Sequence, residues 1–278
     1  MPFNPTYATV ENEDCNLHYW YQGTGPLILF IPGGNGHGRQ YNGMISMFSD
    51  IYTCATFDRR QMSASKVKVN KPLSHTQQAR DVKAVIEAVG FDKAIVFGSS
   101  LGGIIAFQFA IDFPDMIDHI ISHEAPTHNL LPEASDLYDF FLGVIELSKT
   151  SIPEAAAEFD KIFVGFGQDG VPDVASPEPE NPINFWENEV LPASLYTPDL
   201  RRLVEHGTSV GLMAGKRSRD ATFARTTIEQ ENILGCLRMI VPGHHQGFEA
   251  ETEAFGPAFT EMIEILNSRR SAAATALK

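Results

Sequence analysis

Between two apolar runs the chain reads Gly98-Ser99-Ser100-Leu101-Gly102, a G-x-S-x-G arrangement with a strand-like stretch before it and a helix-like stretch after it. That context is what a nucleophile at such a turn requires. A sharp strand-to-helix turn drives the residues two positions either side of its centre into collision. Glycine at 98 and 102 removes the collision and lets Ser100 project its hydroxyl. The N-terminus of the following helix adds a positive dipole end and free N–H groups beside that hydroxyl. Ser99 is the weaker candidate, because only Ser100 is centred between the two glycines. Five residues alone would also fit a glycine-rich turn with a capping serine, so the flanking elements carry the reading. No G-x-x-x-x-G-K-[ST] run is present to favour phosphate binding.

A serine at its own pKa is a weak nucleophile and needs a base, and its reaction needs donors for a developing oxyanion. "FIPGGNGHG" (Phe30–Gly38) follows a strand directly, and its glycines let backbone N–H groups approach a ligand closely. The N–H of Gly34 and that of Leu101, the residue after the nucleophile, are the chosen pair. Gly33 in the same loop is a candidate substrate contact. For the base, "VPGHHQG" follows the last strand and offers His244 and His245. Adjacent residues leaving a strand point to opposite sides, so one of the two faces Ser100. Side by side, and without a cysteine or carboxylate cluster, they make a poor metal site.

The acid has two candidates. The usual loop after the penultimate strand reads "AGKRSRDATF", with basic residues where a carboxylate belongs, and Asp220 there reads as the cap of the next helix. One strand earlier, "IISHEAPTH" puts Glu124 at the end of the strand after the nucleophile strand. A carboxylate ending an apolar strand is costly unless paired, and the longer glutamate side chain extends its reach to a histidine. Glu124 is therefore favoured, with roles set by triad logic.

These groups need elements to hold them. "LHYWYQG" (Leu17–Gly23) and "LILFIP" (Leu27–Pro32), separated by a "TGP" turn signal, read as an antiparallel hairpin. "IYTCATFD" (Ile51–Asp58), "KAIVFG", "DHIISHE", "TSVGLMAG" and "CLRMIVPG" read as further strands. Between them, "SHTQQARDVKAVIEAVG" is a helix with Ser74 as cap, Val82, Val85, Ile86 and Val89 at helical spacing, and Gly90 as the stop. Further helices follow Ser100, span about Ala221–Glu231, and close the chain. Alternation of apolar strands with helices predicts a mainly parallel, eight-stranded sheet covered on both faces. The alternation breaks between Thr127 and His206, where helices and a Pro- and Gly-rich acidic connector, "GFGQDGVPDVASPEPENP", read as an insertion over the strand ends. Ligands of such sheets bind at those ends, so the insertion is expected to be a lid. The predicted division is 1–127 and 207–268 for the core, 128–206 for the lid and 269–278 for a disordered tail.

A chain of 278 residues with 43% hydrophobic and 20% charged residues is that of an ordinary globular protein. Its net charge of −14 argues against nucleic acid, where affinity comes from Lys and Arg neutralising phosphates, and against anionic membrane surfaces. No apolar stretch approaches a bilayer span of roughly 20 residues. The first residues lack a basic region followed by an apolar run, so a cytoplasmic location is expected. Cys15, Cys54 and Cys236 give no disulfide framework, and Cys54 reads as a small buried hydrophobe. No cofactor or metal is expected, and a homodimer is left open.

The motifs resemble the α/β-hydrolase superfamily from the first strand to the last helix. Within it they look most like the microbial hydrolases that include the fungal zearalenone lactonases. In that group a "HE-x-P" segment after the sixth strand carries the triad acid and a "PG-x-H" segment carries the base. The resemblance implies Glu124, 24 residues past Ser100, as the acid and His245 as the base. It also places Phe255 where a phenylalanine follows the base, and Gly34 as the oxyanion glycine. In "DRRQMSAS" (Asp58–Ser65), Gln61 stands where a glycine is common, and the segment "NFWENEVLP" (Asn184–Pro192) departs from the mycotoxin lactonases. Trp186 within it is a candidate pocket residue, although an aromatic on a helix equally fills core.

The expected activity is cofactor-free serine hydrolysis of a carboxylic ester or lactone of moderate size, a small-molecule substrate. Thioester hydrolysis or lactone formation would use the same triad and differ in how well the lid excludes water. A slow-turnover small-molecule receptor on the same fold is a further alternative. Epoxide and haloalkane hydrolysis are disfavoured, since their nucleophile is an aspartate where Ser100 stands.

Overall fold

A computed structural model describes residues 2–166 and 174–276. The middle of the acidic connector, 167–173, and the last two positions of the expected tail lie outside the described residues. The strands are β1 (Thr6–Asn12), β2 (Cys15–Gln22), β3 (Leu27–Ile31), β4 (Thr53–Phe57), the two-residue β5 (Lys66–Val67), β6 (Ala94–Ser99), β7 (Ile117–His123), β8 (Val210–Gly215) and β9 (Leu237–Val241). They form one sheet in the order β1-β2-β4-β3-β6-β7-β8-β9, with β5 paired to β2. From β4 through β9 the pairing is parallel, and β1 and β2 are antiparallel additions at one edge. The sheet is mainly parallel, as expected, and has nine strands among the described residues in place of the expected eight.

The hairpin is not where the turn signal suggests. β2 and β3 are not neighbours, because β4 lies between them and pairs with both. β3 is buried on both faces and takes the central position with parallel partners, while β2 forms its tight hairpin with β1, where Asn12 faces Cys15. β1 escapes the sequence reading because its "TYATVEN" is largely exposed and carries little apolar signal.

The helices are α1 (Asn42–Phe48), α2 (His75–Val89), α3 (Leu101–Asp112), α4 (Ala134–Ser148), α5 (Ile152–Phe159), α6 (Glu180–Asn184), α7 (Val190–Leu195), α8 (Leu200–Glu205), α9 (Thr222–Leu234), α10 (Gly247–Ala250) and α11 (Thr252–Ala276). A π-helical turn, Phe185–Glu189, joins α6 to α7. α2 begins and ends as read: Ser74 accepts a hydrogen bond from the Gln77 N–H, and Gly90 closes the helix at φ 100°.

Strand periodicity divides the core in two. Leu27, Leu29 and Ile31 of β3 pack on the α2 and α3 side, whereas Ile28 and Phe30 pack against Phe248 and Phe259 on the other side. The helices of the insertion have a small core of their own, built from Phe141, Val144, Ala155, Phe185, Trp186 and Val190. Its last helix, α8, instead sends Leu200 and Leu203 into the main core. Cys54 is fully buried, as expected of a small hydrophobe, and all three cysteines are free. The predicted disordered tail is corrected for 269–276, whose backbone continues α11. No helix among the described residues is long and apolar enough to cross a membrane.

Candidate active site

In parallel pairing the carboxyl ends of the strands share one edge. Ile31 is in register with Gly98, Ser99 with His123, and His123 with Met213. The glycine loop after β3, the turn after β6, Glu124 after β7 and the loop after β9 therefore meet above that edge.

Ser100 occupies the turn between β6 and α3 at φ 56° and ψ −130°. Its N–H donates to the His123 carbonyl at 2.9 Å, and the Gly103 N–H donates to its own carbonyl at 2.9 Å. The glycine argument holds in detail. A Cβ on Gly98 would lie 2.2 Å from the Gly102 carbonyl oxygen, and one on Gly102 would lie 2.2 Å from that of Ile31. A Cβ on Gly33 would meet the Ser100 Cβ at 3.0 Å. Leu101 is the first residue of α3, so its N–H is among those a helix leaves unused. Gly34 sits under the insertion, close enough that an added Cβ would fall 3.1 Å from the Phe185 ring.

Ser99 does something different. Its hydroxyl lies 3.0 Å from Nδ1 of His123, a side chain with no exposure whose pKa burial pushes down to about 4. Ser99 serves a buried imidazole beneath the site.

Glu124 follows β7 at φ 49° and is fully buried. One carboxylate oxygen lies 2.7 Å from Nδ1 of His245, and the other accepts the Gly215 N–H at 2.8 Å. Burial works to raise its pKa. The neighbouring imidazoles of His123 and His245, with the hydrogen bond from His245, outweigh burial and hold the carboxyl below the ordinary carboxylate range. The acceptor at Nδ1 fixes the His245 tautomer that leaves Nε2 as the basic nitrogen. The ring is clamped by Phe223 at 4.1 Å and Phe163 at 5.3 Å between centroids.

The other candidates lie elsewhere. His244 turns away from the cavity: its Nδ1 accepts the Gln246 N–H at 3.0 Å, and its ring lies 4.0 Å from that of Phe166. Burial, with the nearby Arg217, lowers its pKa to about 4. Asp220 is exposed and is not the cap expected of it. Ala221 takes the cap position of α9, without a side-chain cap bond.

Ser100 and His245 line one cavity of about 490 Å³, together with Gly33, Gly34 and Leu101. The insertion contributes Phe159, Phe163, Phe185 and Trp186 to its wall. Trp186 is 6% exposed and belongs both to the insertion's core and to the wall. His128, stacked on Phe141 at 5.1 Å, is also in the lining.

The sequence reading passed over Arg59. It is 1% exposed, and its guanidinium donates to the Gly33 carbonyl at 2.6 Å, to Glu189 Oε1 at 2.5 Å and to Gln78 Oε1. The available signal was two adjacent arginines ending an apolar strand, a placement that demands buried partners. Gln61, in place of the common glycine, adopts φ 68°. Its side chain offsets that strain through bonds with both backbone groups of Lys71, at 3.0 and 3.1 Å, and with Asn184 at 3.1 Å.

This architecture is the α/β-hydrolase fold, and residues 26–158 match the family model described by that name. Over 265 residues the chain is 25% identical to the uncharacterized hydrolase YraK of Bacillus subtilis strain 168, covering 92% of this chain and 96% of that one. A shorter match, 36% over 120 residues, covers 42% of this chain and 30% of epoxide hydrolase 1 of Caenorhabditis elegans. Among solved structures, Est816, described as an N-acyl homoserine lactone degrading enzyme, superposes with a TM-score of 0.64 at 23% identity, over 92% of this chain and 99% of its own.

Proposed function

We propose that the protein is a member of the α/β-hydrolase superfamily and a serine hydrolase of carboxylic esters or lactones, working through an acyl-enzyme. The observation that carries this reading is the 2.7 Å contact between Glu124 and Nδ1 of His245, beside a cavity that also holds Ser100 at a strained strand-to-helix turn. Ser100 Oγ attacks the carbonyl carbon while His245 Nε2 takes its proton. The N–H groups of Gly34 and Leu101 receive the oxyanion, and His245 returns the proton to the leaving oxygen. Water then repeats the sequence on the acyl-enzyme, releasing the acid and restoring the Ser100 hydroxyl. Glu124 holds the tautomer and balances the imidazolium.

The substrate is a compound of moderate size with a flat or bulky apolar body. A cavity of about 490 Å³ falls within the usual range for small-molecule sites, and its walls are rich in phenylalanine, with Trp186 beside them. The likeness to Est816 and the Glu124 placement shared with the zearalenone lactonase group favour a lactone within that class. Despite the partial match to an epoxide hydrolase, the elbow carries Ser100 in place of the aspartate that epoxide opening uses.

The test is labelling of the purified protein with a fluorophosphonate, with the adduct located by peptide mass spectrometry, alongside a panel of aryl esters, lactones and thioesters. An adduct on Ser100 and turnover of esters or lactones are expected. An unlabelled, folded protein that hydrolyses none of the panel would sink the reading.

A further inference from the structure

Arg59 is buried beside the site and does not line the cavity, yet its bonds converge on the glycine turn. The Gly33 carbonyl receives the Arg59 guanidinium at 2.6 Å and also the Gly36 N–H at 3.1 Å. The Arg59 backbone N–H in turn donates to the Gly36 carbonyl at 2.8 Å. On its far side the guanidinium is held by Glu189 at 2.5 Å, from the π-helical turn of the insertion. That same turn carries Phe185 over Gly34 and Trp186 into the cavity wall. A second grip comes from α6, where the Asn181 side-chain amide donates to the Asn35 carbonyl at 2.6 Å.

The Gly33 carbonyl belongs to the same peptide unit as the Gly34 N–H. A trans peptide is planar, with C=O and N–H pointing in opposite directions. Fixing the oxygen therefore fixes where the N–H points. Glycine on both sides of that bond makes the plane easy to rotate, and apart from Arg59 it is held by the single turn bond from the Gly36 N–H, so a second anchor tightens it. A guanidinium on the carbonyl also polarises the peptide and strengthens the opposite N–H as a donor.

We infer that Arg59, held by Glu189, is a positioning residue that sets the Gly33–Gly34 peptide plane, so that seating of the helical insertion and assembly of the oxyanion hole are one event. This rests on the hydrolase reading above. The competing account, an ion pair for stability alone, fits poorly. Arg59 Nε and Glu189 Oε2 are buried without hydrogen-bond partners among the described residues. A buried pair left partly unsatisfied contributes little or nothing net to stability.

The experiment compares Arg59→Lys and Glu189→Gln with the unaltered full chain. The probes are p-nitrophenyl butyrate turnover and inhibition by phenylboronic acid, whose serine adduct is tetrahedral and places an oxygen in the oxyanion hole. Lysine keeps the charge but loses the planar fork that reaches Gly33 and Glu189 together. In folded protein, Arg59→Lys should lower kcat by about 10- to 100-fold and weaken boronate inhibition by a similar factor. KM should stay within about threefold, because the interaction is made in the transition state. Glu189→Gln, the same size as the native side chain, should shift kcat and boronate affinity together in the same direction by a smaller factor. It decides the question by itself if Arg59→Lys does not fold. Unchanged kcat and boronate affinity in a folded variant, or a loss confined to KM, would overturn the inference. A wild type that fluorophosphonate does not label at Ser100 would instead remove the functional reading on which it depends.

Discussion

The carboxylate of Glu124 stands 2.7 Å from Nδ1 of His245, and its second oxygen accepts the Gly215 N–H from the neighbouring strand. The loop that follows Gly215 is the one the sequence reading names as the usual place for an acid, and here it contains Lys216, Arg217 and Arg219. On the proposed reading the acid stands one strand nearer Ser100 than that loop, and the Gly215 backbone N–H braces it.

Glu124→Gln is expected to lower kcat by about 10²- to 10⁴-fold, since an amide stabilises the wrong tautomer and cannot balance an imidazolium. Asp220→Asn, on an exposed loop, should leave activity near normal and shift stability by no more than about 0.5 kcal/mol. Steady-state kinetics on both variants, after circular dichroism and melting, checks the contrast. The reverse pattern would return the acid to the loop after β8.

His245→Ala should abolish measurable turnover. His244→Ala should keep much of the activity, because His244 does not line the cavity itself and packs behind Phe166, which does. If the two variants lose activity equally, the assignment of the base fails.

Ser100→Ala is expected to reduce kcat by on the order of 10⁴ or more and to prevent fluorophosphonate labelling. Ser99→Ala tests a different effect. It strips the partner from the fully buried Nδ1 of His123, a loss of about 1–3 kcal/mol in stability. A lowered melting temperature with labelling retained at Ser100 is the expected result, and loss of labelling with an unchanged melting temperature would reverse the two roles.

Stability should fall as the solution is acidified from pH 7 to 4.5. His37, His75, His123, His128 and His244 are all buried, and burial, as the main cause, lowers each pKa to about 4. The unfolded chain, with imidazoles near pH 6.5, therefore binds protons that the folded chain refuses. Each such group contributes stability that is complete above its unfolded pKa and is lost as pH falls toward the folded one, at up to about 1.4 kcal/mol per pH unit. Glu249 acts oppositely. Burial raises its pKa to about 7, so it favours the folded state at low pH and offsets one of the five histidines. Melting followed by circular dichroism across this range provides the check, and a flat profile would contradict the burial of these rings.

Most of the sheet and the turn at Ser100 were legible because they depend on short-range rules, whereas the choice of His245 over His244 came from the resemblance alone. Strand period, helix caps and the glycines around Ser100 are consequences of local sterics, and each appears in the chain within a few residues of where it acts. The β2–β3 hairpin was misread because which strands pair is decided by burial of β3 on both faces, a property of the whole sheet. Asp220 was misread as a cap because α9 begins one residue later, with the buried Ala221 at the cap position and Phe223 and Ala224 buried behind it, so packing and not capping sets its first residue. Arg59 was missed for a further reason. Its partners at Gly33, Gln78 and Glu189 come from three separate regions of the chain, and no local pattern announces such a meeting.

Seven described residues other than glycine have positive φ, and they include Asn35, Gln61, Ser100 and Glu124, all on the loops that meet above the strand ends. Each is a place where the chain would relax with glycine, at a local cost of about 1–3 kcal/mol for the side chain it keeps. At Ser100 and Glu124 glycine would also remove the proposed chemistry. A library of this protein sorted for heat resistance alone should therefore tend to lose activity, with glycine at Ser100 among the substitutions it tolerates. The elbow is a region the rest of the fold must hold in tension.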